Sequence, residues 1–152
     1  MKIGILGAGN IASIMARTIS HMEEVTCHAV AARDQKRAEE FAETYGFEKT
    51  YGSYEALVQD EEVELIYIAT PHSHHYEHAK LCIEHGKAVL CEKAFTRNAQ
   101  EAKEILALAK EKGVFITEAI WTRFMPSRKM IQELLEEGVI GKPMTLTANL
   151  GM

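Results

Sequence analysis

A short, mostly apolar stretch at the start of the chain, Lys2–Leu6, runs straight into Gly7-Ala8-Gly9-Asn10-Ile11-Ala12. After it, Ile11, Ile14, Met15, Ile19 and Met22 recur at helical spacing, which predicts a helix over Ile11–Met22. A G-x-G-x-x-A turn between a buried strand and a helix is a strong constraint on fold. Gly7 permits the tight turn, Gly9 lets the backbone approach a pyrophosphate, and Ala12 lets helix and strand pack closely. The N–H groups of the helix start, at Asn10 and Ile11, then face the phosphates, helped by the helix dipole. The pattern points to a dinucleotide.

The rest of the chain has the alternation this turn needs. Strands are expected at Val25–Ala32, Lys49–Tyr51, Val63–Ala69, Ala88–Cys91 and Val114–Thr117, and Met144–Leu150 alternates weakly enough to read as one more. Helices are expected at Gln35–Tyr45 behind an Asp34 cap, from Ser53 through Val58, and over His74–Glu84. Two more are expected at Ala99–Lys112, behind an Asn98/Glu101 capping box, and at Ser127–Glu137. Strands alternating with helices imply right-handed crossovers. The fold class is therefore α/β, a doubly wound parallel sheet (Rossmann fold) with helices on both faces.

Composition removes several alternatives. Hydrophobic residues at 47% and charged residues at 26% are the balance of a folded globular chain. A formal charge of −5 argues against a nucleic-acid module. No apolar run reaches the roughly 18 residues a membrane helix needs, and Gly4, Gly7, Gly9 and Asn10 interrupt the start in a way a signal peptide does not. Cys27, Cys82 and Cys91 have no pairing motif and read as reduced core thiols of a cytoplasmic protein.

The end of the second strand carries the cofactor's identity. NAD sites usually have an acidic residue there, on the ribose 2′-hydroxyl. This chain has Ala31-Ala32-Arg33-Asp34, with Arg37 one helical turn on. A guanidinium fork suits a 2′-phosphate, so NADP is expected. Asp34 keeps NAD open, although it also reads as a plain helix cap.

The glycine turn, Thr70-Pro71-x-x-x-His75 and Cys91-Glu92-Lys93, in that order and on those elements, resemble the glucose–fructose oxidoreductase/inositol dehydrogenase (Gfo/Idh/MocA) family. Glu118-Ala119-Ile120-Trp121-Thr122-Arg123-Phe124 is similar to the branch holding dimeric trans-dihydrodiol dehydrogenases and NADP-dependent D-xylose dehydrogenases. The resemblance implies that Lys93 is the catalytic acid/base on the substrate hydroxyl or carbonyl, with Glu92 orienting the site beside the cofactor. A lysine in a water-poor site can exchange that proton near neutrality. It also implies that Thr70, Pro71, His72 and His75 lie beside the nicotinamide half, and that Trp121 and Arg123 line the pocket there. The family motif usually continues Glu-Lys-Pro; here Ala94 replaces the proline.

The expected activity is hydride transfer between NADP(H) and a small polyhydroxylated alcohol, sugar or dihydrodiol. The rivals are a dinucleotide-sensing module without chemistry, which has no need of Lys93, and another Rossmann enzyme such as a methyltransferase. The histidines His72, His74, His75 and His78 invite a zinc reading, with His74 and His78 at i,i+4. Cysteine and carboxylate ligands do not cluster with them in sequence, so no metal is expected. By the resemblance, residues 1–142 form the dinucleotide-binding domain and 143–152 the first strand of a second domain. That domain, otherwise absent, would bind substrate and build a homodimer or higher assembly, so the 152 residues alone are expected to be a poor catalyst.

Overall fold

A computed structural model describes residues 1–149. They fall into two compact units, one over Met1–Ala119 and one from Ile120 onward.

The first unit is a six-stranded sheet: β1 (Lys2–Leu6), β2 (Thr26–Ala31), β3 (Lys49–Tyr51), β4 (Leu65–Ile68), β5 (Ala88–Cys91) and β6 (Ile116–Glu118). Their spatial order is β3-β2-β1-β4-β5-β6, and every pairing is parallel. The helices between them are α1 (Asn10–Ile19), α2 (Gln35–Tyr45), α3 (Tyr54–Val58), α4 (His75–Glu84) and α5 (Ala99–Lys112). The fold class read from the sequence is the one observed.

Side-chain alternation explains why both faces carry helices. On β1, Leu6 belongs to one core while Ile3 and Ile5 belong to the other; on β4, Ile66 and Ile68 oppose Tyr67. The first core takes Leu57 and Val58 of α3, Ala79, Cys82 and Ile83 of α4, and Ile105 and Ala109 of α5. The second takes Ala12, Ala16 and Ile19 of α1 with Ala38 and Phe41 of α2. A sheet apolar on both faces must be covered on both, and parallel crossovers supply the cover.

Several ends differ from the sequence reading. β6 begins at Ile116 rather than Val114 because its ladder is set by β5, where Val89 pairs with Ile116 and Cys91 with Glu118. The segment expected as one helix from His74 opens with a 3-10 turn, His72–His74, before α4. Asn98 caps α5 by accepting from the Glu101 N–H at 3.0 Å, but the Glu101 carboxylate reaches back to the N–H of Arg97, not of Asn98. The Lys93–Ala94 peptide bond is cis.

The second unit holds a 3-10 turn, Trp121–Phe124, and helix α6 (Pro126–Glu136). Pro126 starts the helix where a missing N–H costs nothing. Residues 144–149 form no strand, contrary to the expectation for Met144–Leu150. A strand exists only through pairing, and no neighbouring strand pairs with this stretch among the described residues. Leu150 lies outside them.

Candidate functional site

All six strands of the first unit point the same way, so the turns that follow them gather at one edge. Between β1 and β4 the chain's progress across the sheet reverses, and the turns on either side part to leave a crevice. A cleft of about 610 Å³ lies there. Its walls are Gly7 to Ile11 after β1, Ala32, Arg33, Asp34 and Arg37 after β2, Tyr54 of α3, and Ala69, Thr70 and Pro71 after β4.

Local chemistry makes the glycine turn a cradle. Gly7 sits at φ +104° and donates its N–H to the Ala31 carbonyl at 2.9 Å. A Cβ there would lie 2.9 Å from the Ala69 carbonyl oxygen. Gly9 is the reverse: it is extended, and a Cβ there would meet nothing within 4 Å. No side chain caps α1, so its first N–H groups stay available to an anion in the cleft. A cradle closed beneath Gly7 and open above Gly9 fits a pyrophosphate.

The arginines divide their work. Arg37 donates from Nε (3.3 Å) and Nη2 (3.0 Å) to the Ala8 carbonyl, bracing the glycine turn from α2. Arg33 is exposed at the cleft wall. Asp34 accepts from the Lys36 N–H at 3.0 Å and so acts as a helix cap. Tyr54 closes the same end. Burial pushes its hydroxyl up, the positive charges of Arg33 and Arg37 pull it partly back, and it stays a neutral donor. Tyr54 was missed from the sequence, since only the β3-β2 adjacency carries the start of α3 to the β2 turn.

The β4 turn is held from behind. His75 is fully buried, with Nε2 2.9 Å from the Thr70 carbonyl and Nδ1 2.8 Å from the Ala94 carbonyl. It links the turn after β4 to the loop after β5 and does not line the cleft. The Thr70 hydroxyl lies 2.8 Å from His78 Nδ1. Burial, then the neighbouring His74 and His75, lowers His78 to about 4. His72 is exposed on the 3-10 turn and is not part of the cleft wall.

Glu92 and Lys93 follow β5 at the same sheet edge, one strand beyond β4. Glu92 accepts from the Tyr67 hydroxyl at 2.6 Å and from the Lys93 N–H at 3.1 Å. Burial and the Glu92 carboxylate push the Tyr67 hydroxyl far up, so it remains a donor. Lys93 is exposed, and the described residues do not take it out of water. Cys91, just before, is pushed up to about 12 by burial and then by Glu118 and Glu92, which leaves it an inert thiol. Trp121, 66% exposed, and Arg123 stand on the 3-10 turn of the second unit.

A parallel doubly wound sheet with a glycine cradle at its switch point is a dinucleotide-binding domain. The comparisons with known proteins agree. Residues 1–120 match the model of the oxidoreductase family with the NAD-binding Rossmann fold, and the chain belongs to that family. Mouse trans-1,2-dihydrobenzene-1,2-diol dehydrogenase is 45% identical over 99% of this chain and 46% of its own length. D-xylose 1-dehydrogenase (NADP(+)) of Hypocrea jecorina is 41% identical over 100% of this chain and 42% of its own. Among solved structures, the 3-ketoreductase KijD10 from Actinomadura kijaniata, in complex with TDP-benzene and NADP, superposes with a TM-score of 0.86 at 29% identity. That match covers 93% of this chain and 45% of the other. The chain thus spans just under half the length of the relatives it matches. No helix among the described residues is long and apolar enough to cross a membrane.

Proposed function

We propose that this chain is the cofactor-binding half of an NADP-dependent oxidoreductase that interconverts a small polyhydroxylated alcohol, sugar or dihydrodiol and its carbonyl form. The observation that carries this is the switch-point cleft, which joins the glycine cradle at one end to Arg33 and Tyr54 at the other. In this reading the α1 N-terminus holds the pyrophosphate, Arg33 pairs with the 2′-phosphate, and Arg37 keeps the turn in shape through Ala8. Bound NADP would supply the hydride acceptor. Lys93 exchanges the substrate hydroxyl proton at Nζ, and Glu92, fixed by Tyr67, sets the position of the Lys93 backbone. The relatives' names support the substrate class. We assign substrate contact and homodimerisation to a further domain of a longer protein. The three buried free thiols fit a reducing compartment, in keeping with a cytoplasmic enzyme.

Fluorescence titration of the chain with NADPH and NADH tests this. Arg33→Ala should weaken NADPH binding by roughly 10- to 150-fold, the value of a charge-assisted hydrogen bond, and leave NADH binding near its original level. Equal loss for both, or no NADPH binding by the unaltered chain, refutes it.

A further inference from the structure

At the opposite edge of the sheet, where the strands begin, a second cluster has no part in the cofactor cleft. His28 of β2 is fully buried. Its Nδ1 lies 2.8 Å from Glu48 Oε2. Among the described residues, Nε2 has no hydrogen-bond partner. It points instead toward two carboxylates, with Asp60 Oδ2 at 3.3 Å and Glu62 Oε2 at 3.7 Å. The Asp60 contact is short enough for a hydrogen bond but not aligned as one. A buried ring nitrogen with no aligned partner, set beside two carboxylates, is a donor set of the kind that holds a metal cation.

We propose that His28, Asp60 and Glu62 form a binding site for a divalent transition-metal ion, with zinc the best fit. The three ligand atoms lie within 4.8 Å of one another. Ligands around tetrahedral zinc sit about 3.3–3.6 Å apart, as bond lengths near 2.0–2.2 Å require, and the two imidazole–carboxylate separations are close to that. Glu48 supplies the outer carboxylate that metal-bound histidines characteristically have on the far nitrogen. Lys2 and Lys49 donate to Glu62, and Lys49, the Tyr51 hydroxyl and the Glu62 N–H donate to Asp60, so both carboxylates are fixed in place. The cation now at the carboxylates is Lys49, with Nζ 3.2 Å from Asp60 and 2.6 Å from Glu62. Its side chain is 38% exposed, so the ammonium can turn out to water as the metal enters. The metal would tie the starts of β2 and β3 to the segment before β4.

Isothermal titration of the chelator-treated chain with zinc chloride at pH 7.5 tests this. One site is expected, lost in His28→Val. Glu62→Gln, a near-isosteric change at a half-exposed position, should weaken zinc at least as much as the roughly 10- to 100-fold that losing an outer partner costs. His74→Ala should leave binding unchanged. Lys49→Gln should tighten it, because the competing ammonium is gone. Absence of zinc binding by the unaltered chain, or unchanged binding in Glu62→Gln, overturns the site. Weaker zinc binding in Lys49→Gln overturns the exchange of ammonium for metal.

Discussion

The two glycines of the cradle make opposite demands, and alanine at each separates folding from cofactor binding. In Gly7→Ala, an L-residue at φ +104° costs about 1–2 kcal/mol. The new methyl also meets the Ala69 carbonyl oxygen at 2.9 Å and its carbon at 3.1 Å. Both are backbone atoms that cannot rotate away, and overpacking of that kind costs about 1–3 kcal/mol. Alanine's stiffer unfolded chain returns about 0.4–1 kcal/mol. The net loss is about 1–4.5 kcal/mol, a melting point lower by about 2–18 °C for a chain of this size. In Gly9→Ala the backbone is extended and the methyl enters open space. The small loss at a helix cap and the small entropic gain nearly cancel, leaving stability within about 1 kcal/mol. That methyl stands between the α1 N–H groups and the anion, so NADPH should bind at least about tenfold more weakly. Thermal melts followed by NADPH titration read both effects. A Gly9→Ala chain that binds NADPH like the original would refute the anion site at α1. An unshifted melting point in Gly7→Ala would refute the close approach to Ala69.

Two further outcomes are expected. His78 titrates at about 4 when folded against 6.5 when free, so the unfolded chain takes up that proton first as pH falls. Its contribution to stability is whole above pH 6.5 and lost progressively toward pH 4; urea denaturation should show His78→Gln losing roughly 2–3 kcal/mol less than the original chain across that window. Asn98→Ala removes the bond to the Glu101 N–H and should cost about 1 kcal/mol, a melting point lower by about 2–4 °C.

What the sequence made legible follows from how local the cause is. The glycine turn, the Asp34 and Asn98 caps and the apolar strands are written in consecutive residues, and they appear where expected. The ends of β6 and the failure of Met144–Leu150 to form a strand over its described residues depend on a partner strand, which local pattern does not contain. The site divides the same way. Arg33, Gly7 and Thr70 sit at predicted strand ends, and all three line the cleft. Arg37 and His75 were named for cofactor contact; Arg37 lines the cleft with Nε and Nη2 bound to the Ala8 carbonyl, and both ring nitrogens of His75 lie against the Thr70 and Ala94 carbonyls, links that only distant turns create. His28, Asp60 and Glu62 come together only because β2 and β4 flank β1.

The topology also explains how a chain of net charge −5 offers an anion site at all. In a parallel sheet each crossover helix starts near the carboxyl ends of the strands and returns toward their amino ends. Helix N-termini, with their partial positive charge, therefore collect at one edge, and C-termini, with their partial negative charge, at the other. The side chains follow that polarity. Arg33 and Arg37 stand at the carboxyl edge with the uncapped start of α1. Glu48, Asp60, Glu62 and Glu64 gather at the amino edge, where Lys2, Lys49 and the chain's own ammonium already sit as cations. A local positive site inside an acidic chain is thus a property of the winding, and side chains deepen it. The same winding makes the far edge a place for a cation, which is where His28 Nε2 lies buried without a hydrogen-bond partner among the described residues.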